Sequence, residues 1–242
     1  MNPTPLGHRI GGVTTTTMTQ PLDNELFEGL TSAEIATVDG RFPAMAYRKG
    51  ELIYSPYDPG EALMMLERGH VRLYRSAADG RQLTLAILDE GAAFGLPGAL
   101  DEQPYDAYAE AFTDCTVRML PTDQLEALVA THPRVALNLM RSLAGRLREV
   151  EDQVERLAFL PVSARLAAKL LELMDRYGRV TPQGIRIDER FTHLQLAEMI
   201  GTSRETLTKV INELRDSGVI DVRDRLVWVL DAHGLERFKR AG

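Results

Sequence analysis

The sequence predicts an α+β protein: an N-terminal β-roll of the jelly-roll type, one long dimerisation helix and a C-terminal winged helix-turn-helix. Three observations carry this. Gly50, Gly60, Gly69, Gly80 and Gly91 recur every nine to eleven residues with short β-like runs between them. A heptad pattern then runs from Met140 to Leu157, and residues 192–230 read as helix, glycine turn, helix and hairpin. The expected divisions are a disordered segment 1–20, a roll 21–132, a dimerisation helix 133–160 and a winged helix 161–242.

Within the first twenty residues, Gly11-Gly12 and the run Thr14–Thr17 offer too little apolar surface to offset ordering entropy, and Met18 is an alternative start. Leu26–Val38 has a short helical pattern. The strand-like runs are Tyr47–Tyr54, Ala62–Leu66, His70–Tyr74, Gln82–Leu88 and Tyr105–Leu120, the glycines supplying turns with φ > 0. Cys115 lies in the alternating run Ala111–Val117 and is expected to be a buried structural thiol. A lone cysteine excludes an internal disulfide and an iron–sulfur cluster.

Residues 122–132 form a short helix, and Pro133 suits the first turn of a long one ending near Phe159. Along it Met140, Leu143, Leu147, Val150, Val154 and Leu157 alternate spacings of three and four. Such a seam needs a partner: its own domain, or a second copy in a parallel coiled coil. The charged opposite face, with Arg141, Arg148, Glu149, Asp152 and Glu155, favours the second copy. Next come a helix over Val162–Tyr177, a strand or turn around Val180–Ile187, a helix over Leu194–Ile200 capped by Thr192, and a tight turn at Gly201. Ser203 caps the following helix, and Val219–Val222 with Leu226–Leu230 form a two-stranded wing.

The net charge of −7 is unevenly spread. Residues 1–161 hold 14 Lys+Arg and 23 Asp+Glu (14 − 23 = −9), whereas residues 162–242 hold 14 and 12 (14 − 12 = +2). Only the second part has a sign suited to a polyanion. No run approaches the ~18 apolar residues of a membrane span and no signal peptide opens the chain, so a cytoplasmic protein with no membrane partner is expected. The five histidines, at 8, 70, 132, 193 and 233, form no metal-binding cluster, and His70 and His132 lie outside the seam where a haem ligand would be sought. Neither a cofactor nor an enzymatic role is expected; the alternative of another class, an enzyme or scaffold using the jelly roll, is weakened by the absence of clustered ligands or a nucleophile–base pair.

Apolar residues at 196, 200, 207, 210, 211 and 214 pack the last two helices together and leave Arg204, Glu205, Thr208 and Lys209 outward. At a helix start in the major groove, Arg can meet guanine O6/N7 and Glu can accept from cytosine N4. An ordinary solvated helix face is the plain alternative. The cap, glycine turn and following wing favour double-stranded DNA.

The segment Leu196–Leu214, with Arg156–Val162 as a hinge, resembles the CRP/FNR superfamily of transcriptional regulators across nearly all of residues 26–238. The resemblance implies a cyclic-nucleotide-binding-like roll, a homodimer, RNA polymerase as a partner and no catalysis. Arg204 and Glu205 match the base-reading pair, and Lys209 stands where cAMP-binding members have arginine. His193, Thr202, Ser203 and Thr206 match positions against the DNA backbone, and the matching site is a TGTGA-like palindrome. The pocket departs from the pattern. Phe94-Gly95-Leu96-Pro97 lacks the glutamate for the ribose, Asp106 replaces the phosphate-binding arginine, and Val150-Glu151 replaces the pair that receives adenine, which argues against cAMP. Arg146 and Glu151 match dimer-helix anchors of 2-oxoglutarate-responsive nitrogen regulators, but Tyr105 replaces a further arginine. Arg146 and Glu151 are equally readable as a structural ion pair. The expected effector is therefore either absent or unidentified.

Overall fold

Short strands and glycine turns build the first unit of the computed structural model, which describes residues 25–39, 42–101 and 103–240. The expected disordered segment 1–20 and Met18 lie outside them. A 3₁₀ turn at Glu25–Phe27 and helix α1 (Ser32–Asp39) precede β1 (Ala44–Tyr47), β2 (Leu52–Tyr54), β3 (Ala62–Arg68), β4 (Val71–Ser76), β5 (Gln82–Leu88) and β6 (Ala93–Phe94). Helix α2 (Leu96–Asp101), β7 (Tyr108–Ala111), β8 (Cys115–Pro121) and α3 (Thr122–Thr131) follow. The strands make two four-stranded sheets, ordered β1-β8-β3-β6 and β2-β7-β4-β5. Leu63, Met65, Leu96, Leu120, Leu125 and Leu128 close the core with Leu26 and Phe27.

Two expected single strands are each a pair. The Tyr47–Tyr54 run breaks at Gly50, where φ is +86°, and the Tyr105–Leu120 run breaks at Thr113-Asp114. Asp114 Oδ1 accepts from the Lys49 N–H at 2.9 Å and Thr113 Oγ1 from the His70 N–H at 2.9 Å, so side chains replace the ladder there. Gly60 differs from the other four periodic glycines. Its φ is not positive, but a β-carbon would lie 2.2 Å from the Gln103 carbonyl oxygen, so close backbone approach requires it. On neighbouring strands, Arg118 Nε donates to Glu67 Oε2 at 3.0 Å and its Nη2 to Oε1 at 3.3 Å, a forked pair whose side chains are 8% and 15% exposed.

Helix α4 (Pro133–Phe159) begins on this unit. Val135 and Leu139 join the core, and buried Asn138 donates to the carbonyls of Leu26 and Glu28 at 3.1 and 2.9 Å. The chain divides into two compact units, the first holding the described residues to Leu73 with Ala86–Ala144, the second Tyr74–Leu85 with the described residues from Gly145.

In the second unit the β4–β5 hairpin meets the far half of α4, where Gln153 Nε2 donates to the Thr84 carbonyl at 3.0 Å. Beyond lie α5 (Val162–Tyr177), β9 (Gly178–Thr181), β10 (Gly184–Ile187), α6 (His193–Met199), α7 (Arg204–Asp216), β11 (Ile220–Arg223), β12 (Leu226–Val229) and α8 (Ala232–Arg240). The expected two-stranded wing is half of a four-stranded antiparallel sheet, ordered β11-β12-β10-β9, because Ile185 and Arg186 pair with Val229 and Trp228. Helix α8 follows the hairpin, past the last element expected. Helix α8 packs on α5 and buries Leu235, two amphipathic helices too distant in sequence for periodicity to join them.

Cys115 is 5% exposed, and burial pushes its thiol up to about 11, with Asp114 and Glu51 adding to the rise. The thiolate is the reactive form. Native protein at pH 8 is therefore expected to resist Ellman's reagent and to release one equivalent of chromophore only on unfolding; rapid reaction of the native chain would contradict the burial.

Candidate nucleic-acid interface

The helix-turn-helix is assembled by two caps and one glycine. Thr192 Oγ1 accepts from the Gln195 N–H at 3.1 Å while Gln195 Oε1 accepts from the Thr192 N–H at 2.9 Å, a reciprocal box that fixes the start of α6. Gly201 turns the chain at φ +63°, and a β-carbon there would stand 2.6 Å from Leu157 Cδ2. Ser203 Oγ then accepts from the Thr206 N–H at 3.1 Å and starts α7. Between the helices Leu196, Ile200, Leu207, Val210, Ile211 and Leu214 are buried, as their spacing predicted.

This packing turns the first two turns of α7 outward. Arg204, Glu205 and Lys209 are exposed, and neither cation is tied in an ion pair among the described residues. By contrast Arg223 and Arg215 share Asp221, at 2.6 and 3.5 Å, and Arg237 pairs with Asp231 at 3.1 Å. The Glu205 carboxyl is held below the usual carboxylate range by its own backbone N–H, the Ser203 hydroxyl and the Arg204 charge. It therefore stands ionised as an acceptor. Ser203 is exposed, and His193, Thr202 and Thr206 are half-buried.

Two features were not legible from spacing. His193 Nδ1 lies 2.9 Å from Thr208 Oγ1, a contact between α6 and α7 that exists only once the helices dock. At the wing tip Asp224 and Arg225 have φ of +52° and +63°, so the hairpin closes on a two-residue turn of the primed kind without glycine. Arg225 projects there exposed.

The seam of α4 is divided. Met140, Leu147, Val150 and Val154 are 41–60% exposed, whereas Leu143 packs on the first unit's core and Leu157 lies against Gly201. Of the pocket candidates, Phe94, Gly95, Leu96 and Tyr105 are brought together and buried. The Tyr105 hydroxyl donates to the Ala62 carbonyl at 2.9 Å and its ring stacks on Tyr54 at 3.9 Å, while Leu96 belongs to the core. Arg146 and Glu151 lie in the second unit. They make no ion pair with each other among the described residues, because five residues place them ~140° apart around the helix. The intrachain ion-pair reading is thereby corrected.

Residues 44–132 match the model of the cyclic nucleotide-binding domain and residues 164–238 that of the Crp-like helix-turn-helix domain. The chain is 35% identical over 211 residues to the cyclic AMP receptor protein of Thermus thermophilus, covering 87% of this chain and 94% of that one. It is 32% identical over 185 residues to the global nitrogen regulator of Synechocystis sp., covering 76% and 82%. Among solved structures, a CRP-family transcriptional regulator, also of Thermus thermophilus, superposes with a TM-score of 0.70 at 29% identity, over 81% of this chain and 96% of that one. With both domains matched in order and relatives spanned almost end to end, the chain belongs to the CRP/FNR family of transcriptional regulators, DNA-binding proteins rather than enzymes.

Proposed function

We propose that this regulator works as a homodimer that activates transcription from a TGTGA-like palindrome, with Arg204 and Glu205 reading bases, and that cAMP does not gate it. The observation that carries the reading is the exposed, unpaired Arg204 beside an ionised Glu205 at the start of α7. Arginine forks onto guanine O6/N7 and glutamate accepts from cytosine N4, so the two together suit a G·C-containing half-site in the major groove. Lys209, one turn on, is a point charge without the fork and suits a phosphate or a single base edge. His193, Thr202, Ser203 and Thr206 surround that face and take the backbone.

The exposed Met140, Leu147, Val150 and Val154 are the reason for the dimer. A heptad stripe left in water on a 27-residue helix is covered by the same stripe of a second copy. Two-fold protein then meets two-fold DNA, with recognition helices one helical turn, about 34 Å, apart. Contact with RNA polymerase and residence in the cytoplasm follow from the same role.

Regulation without cAMP rests on the pocket. Leu96 sits in the core where the ribose would need a carboxylate, and exposed Asp106 would oppose a phosphate. The reading gated by a dicarboxylate such as 2-oxoglutarate keeps Arg146 and Glu151 but loses its third anchor, since the Tyr105 hydroxyl is committed to Ala62. The DNA-competent state is then the default one, and abundance sets activity.

Three outcomes test this. Leu147→Asp places a carboxylate in each half of the seam, at a cost of several kcal/mol without partners, and is expected to sediment as monomer; an unaltered dimer would refute the seam. Calorimetric titration with cAMP and with 2-oxoglutarate should give no saturable heat at micromolar ligand, and heat with one of them would name the effector. Arg204→Ala should cost about 1–3 kcal/mol on a TGTGA palindrome and relax preference at the guanine it faces. Lys209→Ala should instead weaken all sequences alike and reduce the salt dependence by about one charge. Undiminished base preference in Arg204→Ala, measured on single-base variants at several salt concentrations, would overturn the readout.

A further inference from the structure

The Thr208 hydroxyl lies between the Arg204 carbonyl and the His193 ring. The Thr208 hydroxyl has one hydrogen and donates it to the Arg204 carbonyl at 2.9 Å, an atom that can only accept. The same Oγ1 lies 2.9 Å from His193 Nδ1. With its hydrogen already used, Oγ1 is the acceptor in that contact, and Nδ1–H is the donor. A neutral imidazole has a single N–H. Neutral His193 therefore presents a bare lone pair at Nε2, which has no protein partner among the described residues.

We propose that His193 enters the DNA complex as an imidazolium, so that DNA affinity is linked to proton uptake at this residue. The inference rests on the reading above that His193 faces the DNA backbone. A phosphate oxygen is an acceptor with negative charge. Against the neutral ring it meets a lone pair; against the imidazolium it meets an N–H and a positive charge, the stronger kind of hydrogen bond. Arginine at this place would donate at every pH, whereas a histidine with Nδ1 occupied donates from Nε2 only when protonated.

Helix α6 carries Glu198, which is buried; α7 carries Arg204, Glu205 and Lys209 in its first two turns; Glu189 and Arg190 precede α6. His193 pairs with none of them among the described residues. The phosphate is the anion that stabilises its charge. Binding then favours the protonated ring over the neutral one. The gain is complete where the free ring is already protonated and is lost as rising pH leaves the bound ring neutral. Each contacting protomer contributes at most about a tenfold loss of affinity per pH unit, and two such protomers at most about a hundredfold.

Two measurements test the proposal. Nitrogen-15 NMR of the histidine rings in the free protein at pH 8, with His193 assigned through His193→Gln, is expected to show a protonated Nδ1 and a bare Nε2. A protonated Nε2 overturns the proposal whatever the DNA does. Fluorescence anisotropy then follows binding to a labelled duplex bearing TGTGA and its inverted complement, and to a scrambled duplex, from about pH 6 to 8.5 at constant ionic strength. Wild type should lose several-fold more affinity across this range than His193→Gln, whose amide donates at every pH. Thr208→Val frees Nδ1 and lets the neutral ring carry its proton on Nε2, so its loss at high pH should be smaller than that of wild type. Equal pH slopes in wild type and His193→Gln overturn the proton linkage while binding persists. Lack of preference for the palindrome over the scrambled duplex defeats the base-reading assignment instead, and the slopes on the scrambled duplex, which has the same phosphates, still decide the proposal.

Discussion

The apolar seam between α6 and α7 is the interaction on which the DNA-binding face depends. Leu196 and Leu207 are 1% and 0% exposed, and each such side chain contributes ~2 kcal/mol by leaving water. That burial fixes the rotation of α7 about its own axis. Once Leu207, Val210, Ile211 and Leu214 point inward, Glu205 and Lys209 fall on the opposite side of the helix, and Arg204, its first residue, stays exposed at the edge of the buried stripe. Gly201 makes the seam attainable, because the turn needs a positive φ and leaves no room for a β-carbon beside Leu157. The caps at Thr192 and Ser203 then set where each helix begins.

The roll is built on different terms. Its sheets pair strands far apart in the chain, with Ala62–Leu66 of β3 buried throughout rather than on alternate residues. Turns at Gly50, Gly69, Gly80 and Gly91 use the left-handed region, and Gly60 serves a close approach to Gly98 and Gln103. Arg118 and Glu67 are carried into this framework as a forked pair, which keeps either charge from being buried alone. Leu96 and Tyr105 belong to the same packing: Leu96 fills the core, and Tyr105 is held by Ala62 and Tyr54.

Helix α4 serves both units. Its first turns are structural, through Val135, Leu139 and the Asn138 amide that fastens the 3₁₀ turn at Glu25–Phe27. Its middle carries the exposed stripe, and its last turns are engaged by Gln153 with Thr84 and by the Leu157 carbonyl, which accepts from Arg165 Nη1 at 3.2 Å. A single heptad pattern thus covers three environments. Sequence spacing alone assigns all six seam residues to one partner.

What the sequence determined by itself is local. The extent of α4, from Pro133 to Phe159, and of α5, from Val162 to Tyr177, was readable because 3.6-residue periodicity and prolines at the helix starts act within a turn or two. The caps, the Gly201 turn, the buried Cys115 and the outward Arg204, Glu205 and Lys209 were readable for the same reason. Tertiary structure decided the rest. The pairing of β10 with β12, the packing of α8 on α5, the capture of Leu143 and Leu157 within the chain, and the His193–Thr208 hydrogen bond all join residues whose separation in sequence carries no periodic signal. Their geometry is fixed only when separate elements bury their apolar faces together, and proton placement at His193 follows from a hydroxyl fifteen residues away that docking brings within hydrogen-bond reach.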